Sequence, residues 1–320
     1  MRVLRFTLTA ALLAAAAACE LTEVTTEPAE DVLVVEAVLR TDREDQYVLL
    51  HRSLQGIVAG EARGARVEVT EQNNVRHFFG EAGESCYRID RRYLESDSVD
   101  FRGTCYREDF TGARAVRPGR TYDLRVETLD RRVVRGRTTV PGPFELFPRE
   151  EAVRNAPAPG FICRLPPGTG MRVDWSRADG AWSYVAQLRI NGLRQALAPL
   201  GIDAPEPLEL RGLAVSESDT TIRLPGEFGV FERFQYDQDL LLAIRDGFPE
   251  GVRMDLVVAA ADRNWVNGVR GANFNPSGLV RISSVVGDGV GVFGSLVPRR
   301  MQILVAAADI PGIPLCPGRV

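Results

Sequence analysis

The sequence predicts an all-β protein whose body is two antiparallel β-sandwich domains. Three observations carry this. Short segments rich in Val, Tyr and Thr alternate apolar and polar residues, as in "ARVEVTEQ" and "TYDLRVETLD". Few stretches between them have helical spacing. A Pro- and Gly-dense run, "PGPFELFP", "NAPAPG", "LPPGTG", separates two strand-bearing regions.

The chain opens on an address. Arg2 and Arg5 precede an uncharged run from Phe6 to Ala18, shorter than the about 20 apolar residues that span a bilayer. A basic start, a short apolar core and small residues form the pattern of a secretory signal. Here Ala16, Ala17 and Ala18 run directly into Cys19, which resembles the bacterial lipoprotein signal. That resemblance implies removal of residues 1–18 and transfer of diacylglycerol to the Cys19 thiol. Membrane lipid is then a partner through acylated Cys19, at about 0.8 kcal/mol per buried CH₂. Residues 19–31, with "ELTEVTTEPAED", suit a flexible acidic tether.

The N-terminal β-sandwich is expected over 32–142. Its strands are "VLVVEAVL" (32–39), "QYVLLHRS" (46–53), "ARVEVTEQ" (65–72), "TYDLRVETLD" (121–130) and a closing strand that Pro141 and Pro143 terminate. Residues 143–170 are the Pro/Gly-rich connection, with room for a short strand at "FELF". The C-terminal domain is expected over 171–320. In "MRVDWSRADGAWSYVAQLRING", Trp175 ends one strand, "ADGA" turns, and Tyr184 starts the next. This resembles two strands of a fibronectin type III domain with a tryptophan packed across the sandwich. "DTTIRLPG" and "RMDLVVAAAD" fit later strands, and Phe231, Phe234, Leu241 and Ile244 suggest a short inserted helix.

Setting Cys19 aside leaves Cys86, Cys105, Cys163 and Cys316. An even number in an exported chain reads as two disulfides. Domain organisation favours Cys86 with Cys105, worth about 3 kcal/mol, and Cys163 with Cys316, worth about 5 kcal/mol. Zinc is disfavoured, since there is no Cys-x-x-Cys and His51 and His77 are the only histidines. All 39 basic residues are arginine, and loss of Arg2 and Arg5 takes the formal charge from -4 to -6. Such an acidic chain is not expected to bind nucleic acid.

Cys19-Glu20, "LVVEAVL", "GARVEVTE", "RPGRTYDLRVETLDRRVVRGRTTVP" and "GDGVGVFGS", in this order and spacing, resemble an uncharacterised bacterial lipoprotein family. It is labelled a domain of unknown function and is common in Bacteroidetes and related phyla. The resemblance implies a neighbouring TonB-dependent outer-membrane receptor and a role in nutrient capture or import. It supplies no catalytic residue.

Gly289, Gly291 and Gly294 satisfy G-x-G-x-x-G. The flanks read as strands and Pro298 follows, so a glycine-rich bulge or turn is expected rather than a dinucleotide site. His51 and His77 lack a nucleophile context and are read as surface histidines. Glu95, Asp97 and Asp100, and Asp237 with Asp239, lack the pattern of an EF-hand and are read as solvated. Trp182, Tyr236, Trp265 and Phe274 are the aromatics of interest. Trp265 and Phe274 fall in "DRNWVNGVRGANFNPSG", which reads as a long loop and makes them the candidate ligand-binding pair, with Trp265 sealing the sandwich edge as the competing and slightly favoured reading. No catalytic residue, cofactor or metal site is expected. The expected function is that of a lipid-anchored, non-enzymatic binding or accessory module in the outer membrane, facing the periplasm or the exterior. The competing reading is a structural or adhesive envelope protein.

Overall fold

The computed structural model describes residues 31–55, 58–72, 74–83, 103–147, 161–214, 216–226, 238–273 and 282–318. The signal segment, Cys19, Cys86, Glu95, Asp97, Asp100, Phe231, Phe234, Tyr236, Asp237 and Phe274 lie outside them. Among the described residues, no helix is long and apolar enough to cross a membrane.

The chain is mostly strand. In order come β1 (Leu33–Arg40), β2 (Asp45–Gln55), β3 (Val58–Glu61), β4 (Arg66–Glu71), β5 (Arg76–Glu81), β6 (Thr104–Asp109), β7 (Thr121–Glu127) and β8 (Val133–Thr139). Next are β9 (Leu146–Phe147), β10 (Phe161–Leu165), β11 (Met171–Trp175), β12 (Ser183–Asn191), α1 (Leu193–Leu197), β13 (Leu208–Leu213) and β14 (Thr221–Leu224). The last are α2 (Gln238–Ile244), β15 (Arg253–Ala261), α3 (Arg263–Asn273), β16 (Val285–Gly287) and β17 (Gly289–Val305). Alternation does what the sequence pattern requires. In β1, Leu33, Val35, Ala37 and Leu39 are buried, and in β7 so are Tyr122, Leu124 and Val126. In α2 the core-facing residues are Leu240 and Ile244, one position from the expected Leu241.

A large sheet follows the path β13-β12-β15-β17-β1-β2-β6-β5-β4-β7-β8-β16, and a small one the order β14-β11-β9. Trp175 on β11 of the small sheet stacks toward Tyr184 on β12 of the large one, with ring centroids 5.5 Å apart. The tryptophan thus packs across the sandwich as expected. Two features depart from the expectation. β17 pairs with β1 and with β10 in parallel, so the large sheet is mixed rather than purely antiparallel. The pairing also runs across the expected divide at residues 143–170. β16 adds to β8, and the first half of β17 lies beside β1. The reason is that β1 presents a free edge that only the end of the chain fills. Val32–Val320 form one compact unit.

β17 is the strand that ties the body together. Gly289 to Leu296 pair with β1, Leu296 to Leu304 with β15, and Met301 to Val305 with β10. Odd-numbered backbone groups face the β15 side, as the Ser295 and Val305 bonds show. Pro298 therefore turns its donorless nitrogen to the other edge, in the gap where β1 has ended and β10 has not begun.

The Cys163–Cys316 disulfide is present, with Cα atoms 4.9 Å apart. Cys105 is also disulfide-bonded. Its expected partner, Cys86, lies outside the described residues.

Candidate functional site

Where β15 becomes α3, the chain turns at Asp262, which caps the helix. The Trp265 N–H donates to Asp262 Oδ1 over 2.9 Å. The Ser295 N–H donates to the same oxygen over 3.1 Å, and the Thr138 hydroxyl donates to Oδ2 over 2.6 Å. Ser295 Oγ lies 2.9 Å from Thr138 Oγ1 and 3.4 Å from the Thr139 carbonyl oxygen, which can accept its proton. Asn264 Nδ2 adds bonds to the Arg137 carbonyl (2.7 Å) and the Phe293 carbonyl (2.9 Å). Three chain segments, β8, β15–α3 and β17, meet on one buried carboxylate. Burial pushes the Asp262 carboxyl above its ordinary value, while bonds from Thr138 and from the Trp265, Ser295 and Asn264 amides act the other way.

This cluster holds a serine, a threonine and an aspartate, but it is a latch and not a reaction centre. Ser295 is fully buried, Thr138 is 1% exposed, and each polar atom is committed to another. Asp262→Ala removes a cap worth about 1 kcal/mol and strands two buried donors at about 1 kcal/mol or more each. The expected loss is about 3 kcal/mol by urea denaturation, with Asp262→Asn losing less because Oδ1 persists. An alanine variant within about 1 kcal/mol of the parent would show the latch to be dispensable.

The candidate binding aromatics are redistributed. Trp265 is not on a long loop. It sits in the first turn of α3, 7% exposed, packed with Ala259, Ala261, Val266 and Leu296. Its position follows from the cap, which rotates Trp265, Val266 and Val269 onto the sheet. Trp265 is therefore core, and its expected partner Phe274 lies outside the described residues. The exposed aromatic here is Trp182, with the Arg263 guanidinium 5.1 Å from the ring centroid. Its backbone N–H donates to the Ala261 carbonyl, which holds the ring at the start of α3. Sequence reasoning had only the N-cap Asp262 and the 265/266/269 spacing from which to find this helix.

The glycine motif is structural. A Cβ on Gly291 would come 1.9 Å from the Val35 carbonyl oxygen, and one on Gly294 would come 2.8 Å from the Trp265 nitrogen. These glycines let β17 approach β1 and α3, and they lie in a long strand rather than a turn.

His51 is largely buried rather than at the surface; it donates from Nδ1 to the Arg52 carbonyl (3.1 Å) and has Nε2 3.7 Å from Glu36 Oε1. His77 is no surface residue. It is fully buried, stacked on Phe110 at 3.7 Å between centroids, with Arg114 Nη2 3.2 Å from Nδ1. Arg114 donates to Nδ1, so the proton sits on Nε2, which is buried without a partner. Burial, helped by the Arg114 charge, pulls His77 from 6.5 down to about 4. Between these values the unfolded chain binds a proton that the folded chain refuses, so stability rises with pH across that window. Urea midpoints at pH 4.5 and 6.5 should converge in His77→Gln relative to the parent. Asp239 lies in the first turn of α2, where a negative charge suits the helix dipole. Among the described residues, no group of three or more His, Cys, Asp or Glu is placed to hold a metal.

Residues 20–176 match the family described as a domain of unknown function (DUF4249). No curated protein matches the chain. Solved structures with some similarity include fibronectin(III)-like modules of Clostridium thermocellum CbhA, at 10% identity over 86% of this chain and 94% of that one, with a TM-score of 0.20. Escherichia coli alpha-2-macroglobulin activated by porcine elastase gives 9% identity over 86% of this chain and 20% of that one, TM-score 0.20. A DUF4785 family protein of Legionella pneumophila gives 9% identity over 71% and 51%, TM-score 0.19. At these TM-scores the likenesses carry no argument about the fold.

Proposed function

We propose that this protein is a lipid-anchored outer-membrane lipoprotein that works as a non-enzymatic binding or accessory module, beside a TonB-dependent receptor in nutrient uptake. The observation that carries the reading is the junction at Cys19. A basic, then apolar, then small-residue start runs into this cysteine, and the family match begins at the next residue, Glu20. The body supports a role without chemistry in one respect. Two of its described residues with reactive side chains, His77 and Ser295, are buried and held by structural contacts. Trp182, just before β12, with Arg263 at the start of α3 offers an exposed aromatic and a cation side by side, a pairing suited to a partner or ligand surface.

Mass spectrometry of the N-terminal peptide from membranes tests the anchor, with diacylglycerol on Cys19 expected and a bare terminus opposing it. Co-purification tests the partner. A membrane pull-down should recover a TonB-dependent receptor. Repeated recovery of none, with normal uptake but altered envelope integrity in a deletion strain, would favour the structural or adhesive role.

A further inference from the structure

The body has a defined end at which the chain enters it. β1 and β17 start there together, Leu33 opposite Gly289. The β7–β8 turn closes at the same end, with the Thr128 N–H bonded to the Arg132 carbonyl. Asp288 is held against Val133 by two bonds, its N–H to the Val133 carbonyl and its Oδ2 from the Val133 N–H. Arg52 of β2 reaches Asp130 in the turn over 2.8 Å.

This end carries apolar side chains where turns and sheet edges usually carry polar ones. Leu129, at the tip of the β7–β8 turn, is 80% exposed. Val286 (69%) and Val290 (46%) flank the Gly287–Asp288–Gly289 turn. Arginines stand among them. Arg135 is the cross-strand partner of Val286, so the two share a face, and Arg131 follows Leu129 by two residues. Asp130 pairs with Arg52 and Arg132, whereas among the described residues Arg131 and Arg135 have no ion pair. A scattered exposed leucine or valine is ordinary. Three at one end, beside two uncompensated cations on a net-acidic chain, is a different composition.

We infer that this end of the body, through Leu129, Val286, Val290, Arg131 and Arg135, seats on an anionic lipid surface. The length of chain leading to it selects that occupant. On the lipoprotein reading, on which this inference rests, twelve residues (20–31) join acylated Cys19 to Val32. Fully extended they reach about 40 Å, and as a coil about 20 Å. The entry end of the body is then the end nearest the bilayer, at high effective concentration. Apolar side chains reach the acyl boundary and arginines meet lipid phosphates.

The test uses the processed chain carrying Cys19→Ser, which cannot be acylated, with vesicles of phosphatidylglycerol and phosphatidylethanolamine. Co-sedimentation is expected and should weaken with salt. Arg131→Asn, which suits that residue's left-handed backbone, combined with Arg135→Gln should lower the partition coefficient roughly 25-fold, about five-fold per arginine. Leu129→Asn with Val286→Thr should lower it further, and unchanged circular dichroism would exclude misfolding. No sedimentation, or equal sedimentation of every variant, overturns the inference. The N-terminal mass spectrum separates the two readings. An acylated Cys19 on a body that does not sediment overturns only the seating. A bare Cys19 on a body that does sediment overturns only the anchor.

Discussion

Gly291→Ala is expected to leave the chain without a cooperative fold. Gly291 has φ +141°, a backbone conformation that residues with a Cβ adopt only at about 1–3 kcal/mol. The steric problem is larger. The new Cβ would lie 1.9 Å from the Val35 carbonyl oxygen, where real contacts stay beyond 3.0 Å. The displaced group is backbone of the paired strand, so no rotamer change relieves the clash. β17 must move by an ångström or more along a ladder running from Leu33↔Gly289 to Arg40↔Leu296. The movement would also disturb the other edge of β17, where Gly291 N–H meets Ser283 Oγ and Ser295 N–H meets Asp262. We expect a loss of at least about 5 kcal/mol, the lower end of the stability of a whole domain. Gly212→Ala is the control, because its nearest neighbour is a side-chain methyl of Ile222 at 3.7 Å. Circular dichroism and urea titration of both variants decide the matter. A Gly291→Ala protein with the parent's urea midpoint would mean that the β1–β17 ladder is far softer than its register indicates.

The same strand shows what could and could not be read from residues alone. β1, β4, β7, β11, β12 and β15 were legible because one face is core and the other solvent, which writes itself as period-two alternation. β5 was not. Its buried residues are His77 and Phe79, while Phe78 between them is 49% exposed. Hydrophobicity alone therefore gives the wrong face. β6 buries Thr104, Cys105 and Tyr106 in succession, and β10 hides in a proline-rich stretch. The return of β17 to β1 is a long-range pairing with no local signal. For the candidate site, the departure is the long loop, which is α3 instead, while Trp265 takes the edge-sealing place that was its competing reading. With three glycines or asparagines near its start and middle the segment reads as loop, yet an aspartate cap and a three-residue apolar stripe suffice once β17 provides a surface. Whether Trp182 or Trp265 meets solvent depends on that helix, so the candidate binding aromatics could not be sorted without it.

Cys163→Ala with Cys316→Ala should lower stability by about 5 kcal/mol. The two residues are 153 apart in sequence. In the chain-entropy treatment, releasing a loop of that length adds more freedom to the unfolded state than any single side-chain contact offsets. Both cysteines are buried, and their neighbours show what would come loose. The Cys316 N–H donates to the Arg164 carbonyl and the Arg164 N–H to the Pro314 carbonyl. The Arg164 guanidinium holds the Ala306 and Ala307 carbonyls (2.9 and 3.1 Å) and pairs with Asp309. The bridge therefore clamps the final segment onto β10, which is itself paired with the far half of β17. Its loss should act in two places: a lower urea midpoint for the whole unit, and early amide exchange confined to 306–318. A variant that loses stability with uniform exchange would assign the effect to the unfolded state alone. One that keeps its midpoint would show that the arginine clamp, rather than the disulfide, holds this end of the chain. Arg164→Ala in the oxidised protein separates the two contributions, because it removes the carbonyl and carboxylate contacts while the covalent closure of the loop stays intact.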